Sequence, residues 1–245
     1  MTELTLTELD MTLLVGAIAL FAGAVRGFTG FGGPAIMIVV LTQFYSPASV
    51  LTMVMMIDFV SNVRLVPTSF RDISWRTAGP LTAASVAAIP IGLYALLAVD
   101  PMVMKRVIAA VVALSALALL AGWRYRRPAT VAALIVVGGL AGMVLGATYI
   151  ALVAMVFLYA GPEPATTNRA NGIFWGFVAG IVMIGVLCVT GDIVWADMWR
   201  AAMLGVVYLF AANFGIWVFR GVDEQVFRRF VLWLLIALSA IGILF

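Results

Sequence analysis

The chain has 245 residues, of which 65% are hydrophobic and only 10% charged, with a formal net charge of +3. Soluble domains carry about 25% charged residues, so a water-soluble globular fold is excluded, and the small positive balance does not point to nucleic acid. There is no histidine, which excludes imidazole metal sites and histidine proton relays; no P-loop, metal motif or nucleophile motif is present, and no cofactor is expected.

The N-terminal MTELTLTELD contains three acidic residues and no base. A secretory signal needs a positive n-region, so the first apolar run is expected to stay in the mature chain. That run covers residues 11–25, and a second covers 34–45 after the stretch GAVRGFTGFGGPA. Further runs follow at 48–67, 78–98 and 103–123, and then the basic segment RYRRPAT at 124–130. Residues 131–160 form one long apolar stretch interrupted near GGLAGMVLGAT, and the last runs are 171–190, 200–219 and 226–245. Stretches of this length cross a bilayer core as helices. The short alternating pattern of a membrane β-barrel is absent. Cys188, inside GIVMIGVLCVTG, reads as a buried structural thiol.

The order of runs repeats. RDISW at 71–75 is echoed by GDIVW at 191–195, and VDPMVMKRV at 99–107 by VDEQVFRRF at 222–230. The opening segments also align, with Gly32 over Gly146 and Tyr45 over Tyr159, at an offset that drifts from 114 to 123. An internal duplication is the common construction of secondary transporters. It divides the chain into a first membrane repeat (1–123), a basic cytoplasmic linker (124–130) and a second membrane repeat (131–245).

Charge tests the topology. If each broken segment crosses once, the basic residues divide seven to six: Arg64, Arg71, Arg76, Arg124, Arg126, Arg127 and Arg200 against Lys105, Arg106, Arg169, Arg220, Arg228 and Arg229. If each goes in and comes back, ten arginines (64, 71, 76, 124, 126, 127, 169, 220, 228 and 229) face Lys105, Arg106 and Arg200. Only the second arrangement obeys the positive-inside rule, and it puts the N-terminus outside. A continuous helix over 11–45 would also measure about 52 Å against a ~30 Å core. The expected fold is an all-α polytopic membrane protein of two inverted repeats, each a broken, re-entrant helical hairpin plus three transmembrane helices. Whether the hairpin arms cross fully is left open by charge.

Glycine and proline free backbone groups from helical bonding, and in hydrocarbon such groups must face protein or water. At the first break Pro34 suits the opening turn of the downstream arm, and Gly32 and Gly33 permit close backbone approach. Free N–H groups at a helix start favour an anion. Thr29 offers a hydroxyl, and Arg26 a forked cation suited to carboxylate, sulfonate or sulfite. Three readings of Arg26 stay open: an anion contact, an internal salt bridge to Asp58, or snorkelling to an interface. Gly27 and the other glycines here are backbone enablers before they are ligands.

RGFTGFGGPAIMIVVL, followed by SPASV and a polar-dotted helix ending in an asparagine, resembles the first-repeat signature of the TauE/SafE sulfite-exporter family. The duplicated halves and apolar composition extend the resemblance over essentially the whole chain. It implies about eight helices and export of sulfite or small organosulfonates such as sulfoacetate. The second repeat departs from the family pattern, because GMVLGATYIALV carries Gly142 and Gly146 but no proline; the two hairpins are therefore expected to contribute unequally.

Ionisable groups within spans are functional candidates by default. Asp58 and Asn62 are four apart in VLTMVMMIDFVSNVRLVP, so they share a helix face with Ser61 beside them. Asn62 is placed to donate to a substrate oxyanion; Asp58 pairs with Arg26, carries a coupling proton, or is structural. Arg64 marks the cytoplasmic interface. In PEPATTNRANGIFWG, Asn168, Arg169 and Asn171 either line the cavity from the second repeat or belong to a helix start capped by Thr166 or Thr167. Thr148 is a weaker counterpart of the first site. Asn213 reads as a helix-to-helix hydrogen bond, and the tryptophans, Trp75, Trp123, Trp195 and Trp199 among them, as interfacial anchors.

The expected function is secondary transport of a small anion by alternating access, export of sulfite or an organosulfonate across a bacterial-type cytoplasmic membrane. The substrate contacts expected are Arg26, Gly27, Thr29, Gly32, Gly33, Asp58, Asn62, Gly146, Thr148, Asn168, Arg169 and Asn171. The partners are the anion, the lipid bilayer and a coupling proton or sodium ion; self-association is left open. The alternatives are a carboxylate-anion permease or channel-like protein and, less well supported, an integral-membrane enzyme, for which no constellation of paired carboxylates or activated nucleophile exists.

Overall fold

The computed structural model describes residues 8–29, 32–122, 124–190, 195–218 and 224–244. Ten α-helices occur among the described residues: α1 (Glu8–Thr29), α2 (Gly33–Leu41), α3 (Pro47–Ser69), α4 (Trp75–Ala98), α5 (Pro101–Leu120), α6 (Val131–Thr148), α7 (Leu152–Ala160), α8 (Ala165–Thr190), α9 (Trp195–Val218) and α10 (Glu224–Leu244), with a 3-10 turn at Phe70–Asp72 after α3. Helices α4, α5, α6 and α8 are long and apolar enough to cross a bilayer by length and composition. The chain is thus an all-helical polytopic membrane protein.

The helix starts follow local chemistry. Ser46 caps α3 by accepting from Ser49 N at 3.3 Å, with Pro47 in its first turn. Asp100 caps α5, accepting from Met102 N and Val103 N at 2.9 and 3.3 Å, again with a proline following. Thr130 caps α6 through Ala133 N at 3.3 Å. A side-chain oxygen at this position satisfies one of the orphan N–H groups of the first turn. Helix α8 begins earlier than the apolar run suggested: Asn168 N already donates to Pro164 O at 2.9 Å. Thr166 and Thr167 therefore lie inside the first turn and are not caps.

The two broken segments have the same build. A long arm of 22 or 18 residues is followed by a short arm of 9. Nine residues make about 13 Å, less than half the ~30 Å core, so the arms are unequal. The ends of the elements set a different register from the one read in the sequence. Helices α1 and α6 end at Thr29 and Thr148, and α2 and α7 begin at Gly33 and Leu152. The residue equivalent to Gly32 is therefore Ala151, the N-cap of α7, and not Gly146. In this register the offset stays close to constant from the first helix pair to the fourth and rises at the fifth.

Packing exchanges partners between the halves. α1 lies on α9 while α6 lies on α4; α3 contacts α9 while α8 contacts α4; α2 touches α10 while α7 touches α5. In the α4–α6 pair, Gly138, Gly142 and Gly146 meet the backbone of Leu81, Ser85 and Ile89 in that order, so the two helices run parallel with their backbones in contact. Gly23 and Gly27 meet Tyr208 and Ala212 in the same sense on α9. Where the surrounding lipid is as apolar as leucine, association depends on such close van der Waals approach.

At one end of the bundle Tyr125 N, in the loop before α6, donates to Ala160 O at the end of α7 at 2.9 Å. The second broken segment therefore leaves and returns at the same end. In the interior Trp175 is fully buried and donates to Ser85 Oγ at 2.8 Å, which donates in turn to Gly138 O at 2.7 Å. This tryptophan is a core residue and not an interfacial anchor. Cys188 is exposed on the outside of the bundle, contrary to the expectation of a buried thiol: an apolar outer face suits lipid, so hydropathy alone did not place it inside. Asn213 is likewise exposed and donates within its own helix to Leu209 O at 2.8 Å. It makes no bond to a neighbouring helix among the described residues.

Candidate functional site

Arg26 lies in the last turn of α1, and Asp58 and Asn62 lie one turn apart on α3. The Arg26 guanidinium forms an ion pair with the Asp58 carboxylate through Nη1 and Oδ1. Its Nη2 donates to Asn62 Oδ1 at 3.2 Å, and Asn62 Nδ2 donates to Asp58 Oδ2 at 3.1 Å. The three side chains close a ring in which each touches the other two. Arg26 and Asp58 are only 16% and 12% exposed. Charges this deep persist when paired and hydrogen-bonded.

The start of α2 packs against the base of the Arg26 side chain. Its N-cap, Gly32, has φ 87° and offers no side-chain cap. Glycine adopts that left-handed backbone without a steric penalty. Gly33 is pressed against Ala22 O, the Arg26 Cβ and the Tyr208 hydroxyl, which leaves no space for a side chain. Pro34 supplies no N–H, and the α2 first turn contains no acidic residue. The helix is buried on nearly every face, as expected of one that is apolar all round. Its positive end thus points into protein at the tip of the first broken segment.

Two tyrosines complete the cluster, and the sequence reading named neither. Tyr149 ends α6 with φ 53°, the one positive φ of a non-glycine residue among the described residues. Its hydroxyl reaches Asp58 Oδ2 at 3.5 Å and Met55 O at 3.4 Å, at the outer edge of hydrogen bonding. A left-handed non-glycine residue costs on the order of 1–3 kcal/mol and clusters at functional sites. The signal available was its place directly after the second glycine run. Tyr208 of α9 is 1% exposed, and its hydroxyl beside Gly33 has no hydrogen-bond partner among the described residues. Nothing in the α9 sequence marks it, since its neighbours lie on another stretch of chain.

The other candidates divide. Gly27 faces the Ala212 backbone, and Gly146 the Ile89 backbone, so both serve helix packing. Thr148 donates to Val144 O at 2.6 Å and accepts from Ile150 N at 3.2 Å, which stabilises the second break. The side chains of Thr29, Ser61 and Arg64 lie outside the described residues. Asn168 and Asn171 are buried, and Arg169 is exposed.

Asn168 and Asn171 belong to a separate polar knot around Glu163. Thr77 Oγ1 and Ser74 Oγ donate to Glu163 Oε1 at 2.6 and 3.0 Å, and Asn171 Nδ2 donates to Oε2 at 2.9 Å. Asn171 Oδ1 accepts from Ser74 N at 2.9 Å, and Asn168 Nδ2 donates to Glu163 O at 3.0 Å. The knot ties the α7–α8 loop to the start of α4, where a carboxylate complements the helix dipole. Burial, and then the Glu163 carboxylate, raise the Tyr125 phenol above its ordinary 10.0.

The family described as sulfite exporter TauE/SafE matches residues 15–241. The chain belongs to that family, and the membership implies an integral membrane transporter of the sulfite or sulfonate exporter type. No curated protein and no solved structure matches it.

Proposed function

We propose that the chain is a secondary transporter that moves a small sulfur oxyanion, sulfite or an organosulfonate, out of the cell by alternating access. The observation that carries this reading is the buried Arg26 guanidinium, borne by a residue whose Cβ lies against Gly33 at the uncapped start of α2. A forked cation and a helix N-terminus at one point favour a compact oxyanion. Gly33 lets the α2 backbone come close to Arg26, Asn62 holds the guanidinium plane, and the Tyr208 hydroxyl, which has no hydrogen-bond partner of good geometry among the described residues, supplies a donor.

The two halves act as inverted repeats of one hairpin and three helices. Support comes from the exchanged packing partners and from the parallel pairing of each long arm with the fourth helix of the other half. In this arrangement the first hairpin enters from the end where α3 begins and the second from the end of the Glu163 knot. The basic residues Arg71, Arg76, Arg124, Arg126, Arg127 and Arg169 then share the knot end, which makes that end cytoplasmic and the N-terminus external. The two tips meet at Asp58, touched by Arg26 from one and Tyr149 from the other. Rocking of the halves about this point alternates access.

The test is flux of sulfoacetate and of its dicarboxylate analogue malonate in proteoliposomes. Saturable sulfoacetate movement, with malonate a poor competitor, is expected. Preference for malonate would replace the reading by a carboxylate permease, and movement of no anion would overturn it.

A further inference from the structure

We propose that Asp58 is the counter-anion which an incoming oxyanion displaces from Arg26, and that Asp58 takes up one proton for each anion bound. The inference rests on the anion-transport reading above. In the empty state Arg26 and Asp58 neutralise each other. The ionisable side chains that interact with Asp58 are Arg26 from α1, Tyr149 from the α6–α7 turn and Tyr208 from α9. Helix α2 carries no ionisable side chain, and α8 presents Gly176 to Asn62. The basic residues of α4, α5 and α8 (Arg76, Lys105, Arg106, Arg169) lie in the turns near the helix starts, all but the partly buried Lys105 exposed, and the Arg64 side chain lies outside the described residues.

A monoanion arriving at Arg26 therefore meets one cation already matched by one carboxylate. Two negative charges on a single buried guanidinium disfavour one another strongly, and one of them is driven to the neutral form. A sulfonate stays ionised, so the carboxyl is the group that takes the proton. The geometry gives the proton a place. Asp58 Oδ2 already accepts from Asn62 Nδ2 and faces the Tyr149 hydroxyl, whereas Oδ1 has no partner besides the guanidinium among the described residues. Once the anion takes the guanidinium, a proton on Oδ1 makes an O–H donor directed at the anion.

The balance is simple. One proton and one monoanion enter from the side to which the site is open, and both leave on the other side. On their departure the Arg26–Asp58 pair re-forms. The loaded and the empty site carry the same net charge, which lets both reorient through a low-dielectric interior without stranding a charge.

The experiment uses the full chain in proteoliposomes with methanesulfonate, a strong monoanion that does not itself buffer protons. Methanesulfonate flux and internal pH are recorded together at clamped membrane potential. The expected result is one proton moved per anion, flux independent of the potential, and acceleration as the entry side is acidified. In Asp58→Asn, whatever methanesulfonate flux remains is expected to carry no protons and to show no acceleration on acidification. Anion flux in the wild-type protein with no proton movement, or flux driven by the potential, overturns the coupling and leaves the transport reading intact. Movement of no anion in the wild-type protein overturns the transport reading and the coupling with it.

Discussion

Arg26 and Asp58, separated along the chain by the whole of α2 and the first half of α3, face each other as an ion pair in the interior, with Asn62 bonded to both. The pair decides between the three sequence readings of Arg26: the side chain is inside and paired, and it does not snorkel. Pairing does not exclude the proposed anion binding, in which the same guanidinium would exchange Asp58 for the anion.

Removing one partner of this pair leaves a bare charge in the interior. Arg26→Ala is expected to insert normally, to lose transport, and to lower stability in detergent by about 3–5 kcal/mol. Combining it with Asp58→Ala should restore most of the stability and none of the transport. Melting curves and flux on the two variants check this; near-normal flux in Arg26→Ala would make Arg26 structural only.

Gly146 and Gly139 sit on the same helix, but only Gly146 touches another backbone; nothing lies within 4 Å of a side chain added at Gly139. Gly146→Ala is expected to cost about 1–3 kcal/mol by forcing α6 from α4, while Gly139→Ala is neutral or slightly stabilising through helix propensity. Thermal melting of the two variants side by side measures the difference.

The Tyr208 hydroxyl stands beside the Arg26 guanidinium without a well-formed hydrogen bond among the described residues, so Tyr208→Phe removes little from the empty protein. Its melting temperature should stay level or rise. If the hydroxyl donates to the bound anion, half-saturation for sulfoacetate should shift upward about 3- to 10-fold, the range for a single lost hydrogen bond. An unchanged half-saturation would remove Tyr208 from the site.

Tyr125 gives a pH prediction at the knot end. Its phenol is raised above 10.0 by burial and by Glu163, so the folded protein holds that proton more tightly than the unfolded chain. The stability it contributes is complete below the unfolded pKa near 10 and falls as pH rises through the folded value. Tyr125→Phe should flatten this alkaline loss, and Glu163→Gln should bring the phenol back toward its ordinary value. Absorbance titration of tyrosinate, with stability followed over the same range, reads both.

Much of the helix order was legible in the sequence. Apolar runs, caps and glycine breaks are local, and the helix bounds fall within a few residues of them except at the starts of α8 and α9, where polar residues (NRANG and WADMWR) open the helix ahead of the apolar run. The chemistry of Arg26, Asp58 and Asn62 was legible for a similar reason: each is a polar residue in an apolar run, and hydrocarbon leaves few places for it. Glycine function was not legible. Gly32 and Gly146 look alike in sequence, yet one turns the chain and the other lies against a neighbouring backbone.

What the sequence determined by itself was the membrane class, much of the order of helices and the polar residues that an apolar interior must account for. Only the tertiary structure decided which of them meet. It drew Tyr149 and Tyr208 to Asp58 and Arg26, assigned Asn168 and Asn171 to Glu163, put Trp175 inside and left Cys188 on the surface. The physical reason is that hydropathy distinguishes apolar from polar positions but not the two apolar environments of a membrane protein, lipid and protein interior. Helix-to-helix contact alone separates those, and contact between residues of α1, α3, α6 and α9 has no signature in any one stretch of chain.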